Sequence, residues 1–291
     1  MQIVLHAGAH ETDDDLLVRC LSDNRDLLRQ NGIAAPPPNT YRKLIRDLLH
    51  EVQQGKPTDG MRETLLDRTA TDSATQRLVL SNPGFFGTPK MAASGGILYS
   101  AAEERLAVLD RIFARDTLEF HLAIRNPATF LSAIFRQTPL NGFEELMRGA
   151  RPQDVRWSEM IERIRTAFPD LPITVWCNED TPLIWSEVVR ELAGLDPMTC
   201  FEGEFLLLSK IMSKPGMQRF HAYLDRHPGM TEVQKRRVIE AFLEKFAEQD
   251  KIEEELDLPG WTEELIDQMT ELYDEDVYAI QRLPCVNLIT P

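Results

Sequence analysis

The chain contains 291 residues, of which 43% are hydrophobic and 27% are charged. This length and composition are typical of a folded globular protein of one or two domains, and they exclude a mainly disordered or fibrous chain. The 32 Lys and Arg residues stand against 47 Asp and Glu residues, which gives a net charge of −15. We therefore expect no nucleic-acid partner and no anionic membrane surface as partner, because both need a basic protein surface.

Four cysteines lie far apart along the chain, and none of them forms a Cys-x-x-Cys pair: Cys20, Cys177, Cys200 and Cys285. This spacing predicts neither a disulfide framework nor a zinc cluster, and it indicates buried free thiols in a reducing compartment. The apolar start of the chain has no basic leader. No apolar run approaches the ~18 residues of a membrane span. We expect a cytoplasmic protein.

The first two thirds of the chain alternate short apolar runs with helical patterns. Strands are predicted over residues 3–6, 78–81, 118–124 and 173–177. Helical periodicity separates them, over residues 16–28, 41–54, 103–114, 130–135, 157–168 and 182–195. The segment 81–100 is rich in Asn, Pro, Gly and Ser, which predicts a loop. Alternation of this kind predicts a three-layer α/β fold around a mainly parallel central sheet.

From residue 205 onward the pattern is almost entirely helical, with clear amphipathic stretches at 233–249 and 262–280. The final apolar residues, 286–289, are compatible with a last strand. No linker or repeat interrupts the chain, so we expect a single domain over residues 1–291 with residues 205–282 as a helical extension packed on it. The acidic runs 253–255 and 274–276 are predicted to be solvated helix faces or ends. The tryptophans are predicted to lie in the core: Trp157, Trp176, Trp185 and Trp261.

Ligands of an open parallel sheet bind beyond the carboxyl ends of the strands, so the residues that follow the predicted strands are the candidate site. They comprise histidines, carboxylates, small polar residues and a single cation: His6, His10, Glu11, Thr12, Asp13, Asp14, Asp15, Ser81, Asn82, Arg125, Asn178, Glu179 and Asp180. In this set one cation faces many anions.

Two stretches of the sequence resemble bacterial sulfotransferases. Residues 5–15, LHAGAHETDDD, are similar to the family's opening loop, which usually reads G-x-H-K-T-G-T-T and cradles the 5′-phosphosulfate of the donor 3′-phosphoadenosine 5′-phosphosulfate (PAPS). Residues 122–127, LAIRNP, are similar to the family's strand ending in R-[DN]-P, whose arginine binds the 3′-phosphate. The resemblance implies a P-loop-like α/β fold. It also implies these candidate cofactor-binding residues: Gly8, His10, Thr12, Arg125 and Ser132.

Several positions depart from the family pattern. Glu11 stands where the family has a lysine, and three aspartates, Asp13, Asp14 and Asp15, replace its glycine and hydroxyl positions. Each like-charge contact with a polyanionic donor costs several kcal/mol at an effective dielectric of ~20. The position eight residues after the arginine, usually serine in the family, is Ala133. We therefore expect that neither PAPS nor 3′-phosphoadenosine 5′-phosphate (PAP) is a cofactor of this chain.

A serine lies one residue before the position at which the family has its serine. Ser132 precedes Ala133, and one residue on a helix is a rotation of about 100°. Ser132 is thus expected to face away from a 3′-phosphate. His10 coincides with a histidine of the family loop and is the candidate catalytic group, although its role there does not follow from spacing. No metal ligand is assigned.

A purely structural interpretation accounts for the same residues. Thr12 is a good helix N-cap, and acids in the first helical turn are favourable by ~0.3–1 kcal/mol each. On this interpretation the protein's own carboxylates occupy the anion position, and Arg125 forms a partly buried pair with one of Asp13–Asp15 or with Glu11. His6 and His10 would be satisfied loop histidines.

Three functional hypotheses remain open from the sequence. The first is a sulfotransferase-like protein that no longer uses PAPS, either a pseudoenzyme or a protein with a changed small-molecule or protein ligand. The second is an active PAPS-dependent sulfotransferase with an altered donor loop. The third is a metal-assisted enzyme built on the His and Asp cluster.

Overall fold

The computed structural model describes residues 1–252, 256 and 258–291. Within these residues the centre of the molecule is a six-stranded sheet in the order β2-β3-β1-β4-β5-β6, and every neighbouring pair is parallel. The strands are β1 (Gln2–His6), β2 (Ile33–Ala34), β3 (Arg77–Ser81), β4 (Thr117–Ile124), β5 (Ile173–Cys177) and β6 (Val286–Ile289).

Helices connect all consecutive strands. The first six are α1 (Leu16–Asp23), α2 (Arg25–Gln30), α3 (Pro38–Gln53), α4 (Met61–Arg68), α5 (Pro89–Ala92) and α6 (Ala102–Ile112). The next four are α7 (Pro127–Arg136), α8 (Phe143–Met147), α9 (Trp157–Ala167) and α10 (Thr181–Ala193). The last four of the described residues are α11 (Leu208–Ile211), α12 (Lys214–Arg226), α13 (Glu232–Phe246) and α14 (Glu263–Gln281).

The strands have two buried faces, because successive side chains point to opposite sides of the sheet. Ile3 and Leu5 pack with residues of α3, α4, α6, α7, α9 and α14. Val4 packs on the other side, with residues of α1, α2 and α10. Helices therefore cover both faces, and the predicted three-layer α/β fold with a parallel sheet is confirmed.

The four predicted strands are all present, and residues 286–289 form β6 beside β5. Strand β2 was not predicted, because two residues are too few to show a period. The predicted loop over residues 81–100 is wrong in part, since it contains the short helix α5 and a 3₁₀ turn, Ser94–Gly96. Helix α5 starts with Pro89, whose fixed φ suits the first helical position.

The C-terminal helices do not pack as a single group. Helix α14 contacts α7 and α9 and contributes Met269 and Ile280 to the core on that face of the sheet. Helices α11, α12 and α13 enclose a smaller core that includes Phe220 and Ile239. A single domain with one helical extension over residues 205–282 remains a proposal.

One acidic residue of the C-terminal region is not solvated as predicted. Asp276 is 4% exposed, because it accepts hydrogen bonds from the backbone N–H of Trp157 at 2.6 Å and from Ser158, at the start of α9. Its neighbours Asp274 and Glu275 are exposed. The other predicted acidic run, residues 253–255, lies outside the described residues.

Two of the four cysteines also differ from expectation. Cys20 and Cys177 are buried free thiols, as predicted, whereas Cys200 and Cys285 are exposed. Cys200 lies in the connection between α10 and α11. Cys285 lies in the turn directly before β6, outside the sheet. Trp261 is only half-buried against the core. In the described part of the chain, no helix combines the length and apolar character that crossing a bilayer requires.

Candidate functional site

The segment of residues 8–15, called here the acidic loop, begins where β1 ends. The backbone N–H groups of Ala7 and Ala9 donate to the carbonyls of His121 (3.0 Å) and Ala123 (3.3 Å) on β4. The N–H of His10 donates to the Tyr99 hydroxyl at 3.0 Å. The first part of the loop is therefore held by bonds within the protein that extend the β1–β4 pairing.

The acidic loop turns sharply before α1. Glu11, Asp14 and Asp15 have φ angles of 60°, 46° and 62°. This left-handed conformation costs a non-glycine residue ~1–2 kcal/mol, and aspartate tolerates it better than most residues. Gly8 also has a positive φ, and a Cβ there would lie 3.2 Å from Nε2 of His6. The close approach of loop and histidine therefore requires glycine at this position.

Asp13 binds the start of α1. Its carbonyl accepts from the N–H of Leu16 at 2.8 Å, and its carboxylate Oδ2 accepts from the N–H of Leu17 at 3.1 Å. Burial raises the pKa of Asp13 to about 6, although the bond from Leu17 opposes the rise. An internal carboxylate thus lies where the first helical turn presents its N–H groups.

The predicted N-cap is wrong. The hydroxyl of Thr12 donates to the carbonyl of Ala9 at 2.8 Å, and α1 begins only at Leu16. The three aspartates therefore precede the helix and do not occupy its first turn. The left-handed residues Asp14 and Asp15 reverse the chain between Thr12 and the helix, which displaces its start.

Arg42 on α3 holds the end of the acidic loop. Its NH1 group donates to Asp15 Oδ2 at 2.8 Å, and its Nε donates to the carbonyl of Ser81 at 2.9 Å. The hydroxyl of Tyr41 donates to the same carbonyl at 2.9 Å. Neither residue was predicted as part of the site, since nothing in their spacing distinguishes them from other residues of an amphipathic helix.

Arg125 lies at the end of β4, beside the acidic loop as expected. The residue is 6% exposed, its Nε donates to Thr129 Oγ1 at 3.0 Å, and its NH1 donates to the main-chain carbonyl of Glu11. Burial and the neighbouring Asp14 raise the pKa of Glu11, while the charges of Arg125 and Arg136 oppose this rise. The predicted pairing of Arg125 with a carboxylate of the loop stays a prediction.

The two other positions of the candidate 3′-phosphate site lie on α7. Ser132 is 1% exposed and Ala133 is 7% exposed, so both belong to the buried side of this helix. The side chain of Asn126 caps α7 by accepting from the N–H of Ala128 at 2.9 Å.

The two histidines lie in different environments. His6 Nδ1 is 2.9 Å from Ser81 Oγ, and its ring stacks on Trp176, on the sheet face covered by α1 and α10. His10 Nδ1 is 2.8 Å from the Tyr99 hydroxyl, and Tyr99 belongs to the core on the opposite face. Burial lowers the pKa of His6 to about 3 and that of His10 to about 4. Both rings are therefore neutral at pH 7.

The histidines and aspartates do not converge. Across residues 1–252, 256 and 258–291, no group of three or more His, Cys, Asp and Glu side chains is arranged to hold a metal ion. The ring nitrogen Nε2 of His6 is buried without a hydrogen-bond partner among those residues and faces Gly8.

Glu179 links three elements at the end of β5. Its carboxylate accepts from the N–H of Asn126 at 2.7 Å and from the hydroxyl of Tyr273 at 3.1 Å. Burial raises the pKa of Glu179. As expected, a helix follows directly, with α10 starting at Thr181 after a 3₁₀ turn, Asn178–Asp180. Tyr273 was missed because α14 follows Glu179 by more than 80 residues.

No protein-family model matches the chain, and no curated protein matches it. Among solved structures, it is similar to the crystal structure of a sulfotransferase from Alicyclobacillus acidocaldarius, with a TM-score of 0.42 and 13% sequence identity over 81% of this chain and 95% of that chain. A similarity of this degree carries no argument about activity. The α/β fold follows from the strand order and helix placement alone.

Proposed function

We propose that this chain is a sulfotransferase-like protein that does not use PAPS as a sulfate donor. The observation that carries the proposal is that the backbone N–H groups of Leu16 and Leu17 donate hydrogen bonds to Asp13. These two N–H groups open the first turn of α1, where a phosphate-binding loop presents its donors to an anion. Here both donate to a residue of the loop itself.

The rest of the acidic loop supports the same conclusion. The N–H groups of Ala7, Ala9 and His10 are also engaged within the protein, so they are not directed at a ligand. Their partners on β4 and at Tyr99 would have to be given up before these donors could hold a phosphosulfate. A buried donor or acceptor left without a partner costs ~1–3 kcal/mol.

Electrostatics add a second barrier to a polyanion. Arg42 compensates the charge of Asp15, and the charges of Arg125 and Arg136 act on Glu11, but Glu11 and Asp14 still place carboxylates where the family has a lysine and small or hydroxyl residues. Asp13, half-ionised near pH 6, becomes a further anion at neutral pH. The protein would thus act as a binding protein or take a ligand other than PAPS.

One observation favours the alternative of an active sulfotransferase. Arg125 is buried at the end of β4 and contacts the acidic loop, which is where a donor's 3′-phosphate would need a cation. Binding of the nucleotide by the wild-type protein would therefore support this alternative. The geometry of the described residues does not favour the metal-assisted hypothesis, because His6 packs on Trp176 and His10 on Tyr99, which belong to the cores on opposite faces of the sheet.

Calorimetry with PAP at millimolar concentration and pH 7.5 tests the proposal. We expect no measurable heat of binding with the wild-type protein. A clear one-to-one isotherm would overturn the proposal. The quadruple variant E11K/D13G/D14T/D15T should gain weak affinity, because it restores the positive charge and the free N–H groups.

A matched variant separates the loop from the overall charge. E240K/D110T/D225T/E244T makes the same change in net charge at exposed positions on α6, α12 and α13. We expect this variant to bind no PAP. Equal binding by both quadruple variants would show that net charge, and not the acidic loop, excludes the nucleotide.

A further inference from the structure

A cavity of about 660 Å³ lies beside the edge strand β2, away from the acidic loop. Its walls are formed by α2, by the turn of residues 35–37, and by the end of α4 with the connection to β3. This volume falls within the ~300–1,000 Å³ range of small-molecule sites.

Three arginines line this cavity: Arg25, Arg29 and Arg68. All three are exposed, and none of them has a carboxylate within ion-pair distance among the described residues. The carboxylate of the lining, Asp72, already accepts from the N–H of Ala74 at 3.0 Å and from Thr75 Oγ1 at 3.1 Å. In a chain with a net charge of −15, this lining is locally positive.

Helix dipoles explain only two of the arginines. Arg29 and Arg68 lie in the last turns of α2 and α4, where a cation is favourable. Arg25 is the first residue of α2, where the positive end of the dipole opposes a cation. Arg25 also follows directly on the C-terminal cap of α1, Asn24, so the dipoles of α1 and α2 act on it in opposite directions. It lines the cavity with no carboxylate within ion-pair distance among the described residues, and an anionic ligand would supply such a partner.

The buried lining residues, which form the floor of the cavity, are mainly apolar, with Thr69 as a polar exception. Leu21 and Leu28 are each 2% exposed, and Ile33 of β2 is 7% exposed. A ligand that fills the cavity thus places an apolar group on this floor and its charge at the rim. Three guanidinium groups and one carboxylate leave a surplus of two positive charges, which matches a dianion.

We infer that this cavity binds an organic phosphate monoester that carries a small apolar group. Arginine forms paired hydrogen bonds with phosphate oxygens, and a phosphate monoester carries ≈ −1.5 to −2 charge at pH 7. The site is separate from the acidic loop and does not depend on the function proposed for it.

Calorimetry with phenyl phosphate, inorganic phosphate and phenol tests the inference. Phenyl phosphate should bind at least tenfold more tightly than either fragment. The variant R29Q/R68Q should lose at least tenfold in affinity. The matched control is R111Q, because Arg111 is likewise an exposed basic residue in the last turn of its helix, α6, but lies outside the cavity.

The outcomes are distinct. The inference would be overturned if phenyl phosphate showed no binding at about 5 mM, near the weak end of specific affinities. Equal losses of affinity in R29Q/R68Q and R111Q would also overturn it. Should R29Q/R68Q fail to fold, R25Q gives the same test, since it removes a cation that the helix dipole opposes. In NMR spectra, phenyl phosphate should change the backbone amide chemical shifts of Ile33 and Ala34. Changes confined to residues 8–15 would contradict the proposed site.

Discussion

The carboxylate of Asp13 accepts a hydrogen bond from the backbone N–H of Leu17, and the carbonyl of Asp13 accepts from Leu16. One residue of the acidic loop thereby binds two N–H groups of the first turn of α1. In a phosphate-binding loop the same groups face the ligand. The protein satisfies them internally with a carboxylate whose pKa burial raises to about 6.

The substitution D13N should change the pH dependence of stability. The pKa of Asp13 is about 6 in the folded protein, against ~3.9 in the unfolded chain. The protonated carboxyl therefore stabilises the fold below pH ~3.9, and this contribution is lost as pH rises through 6. Asparagine keeps the bond to Leu17 without ionising. We expect the free energy of unfolding of D13N to exceed that of wild type by on the order of 2 kcal/mol at pH 7.

Urea unfolding at pH 4, 5, 6 and 7 measures this effect. The two proteins should be similar at pH 4 and should diverge as pH rises, with wild type the less stable. Parallel curves over this range would show that Asp13 does not carry the predicted pKa.

Arg42 should stabilise the fold more than its neighbour Lys43. Arg42 joins Asp15 to the carbonyl of Ser81, whereas Lys43 pairs with Asp47 on the exposed side of the same helix. We expect R42A to lower the free energy of unfolding by about 1–2 kcal/mol, because it breaks a hydrogen bond as well as a partly exposed ion pair. K43A should cost at most ~0.5 kcal/mol. Equal losses in chemical denaturation would contradict the role assigned to Arg42.

The strands were predictable because each long strand contains a mainly apolar run that is followed by polar or turn residues. Ile173–Cys177 is buried at every residue and β4 is buried from Phe120 onward, so both faces of these strands favour apolar residues. The two-residue strand Ile33–Ala34 shows no such run, and only its pairing with β3 defines it.

The site was less predictable than the sheet. The acidic loop and Arg125 do meet at the carboxyl edge, as parallel topology requires. The start of α1 was misplaced because it depends on the backbone conformation of three residues before it, and left-handed φ values at Glu11, Asp14 and Asp15 leave no mark in a hydrophobic pattern. The burial of Asp276 depends on Trp157, 119 residues earlier, so no local signal reports it.

Asp276 should matter far more than the neighbouring Asp274. The carboxylate of Asp276 accepts from the N–H of Trp157 and from Ser158, in a place that is 4% exposed. D276A leaves these donors without a partner, so we expect a loss of about 2–3 kcal/mol in the free energy of unfolding. Asp274 is exposed, and D274A should stay within ~0.5 kcal/mol of wild type. Comparable losses in the two variants would contradict the capping role.

The pH dependence of the free energy of unfolding should also reflect the burial of His10 beside Tyr99. Burial lowers the pKa of His10 to about 4, below the ~6.5 of an unfolded chain. The neutral ring therefore stabilises the fold above pH ~6.5, and this contribution is lost as pH falls through 4. In H10Q, stability should fall less between pH 6.5 and 4 than in wild type. An NMR titration that placed the pKa of His10 above 6 would contradict this prediction.

Substitution of Arg125 tests whether its guanidinium serves an internal contact or an external anion. In wild type its guanidinium donates to the Glu11 carbonyl and to Thr129 Oγ1, and the residue is 6% exposed. We expect R125A to lower the free energy of unfolding by about 1–3 kcal/mol, because two partly buried acceptors lose their donor. R125K should recover less than half of this loss, since an ammonium group cannot reach both acceptors in the geometry of the planar guanidinium. The exposed Arg115 provides the control, and R115A should stay within ~0.5 kcal/mol of wild type. If R125A unfolds at the wild-type midpoint at pH 7, while sulfate stabilises wild type but not R125A, then Arg125 serves an external anion and the internal contact is not its function.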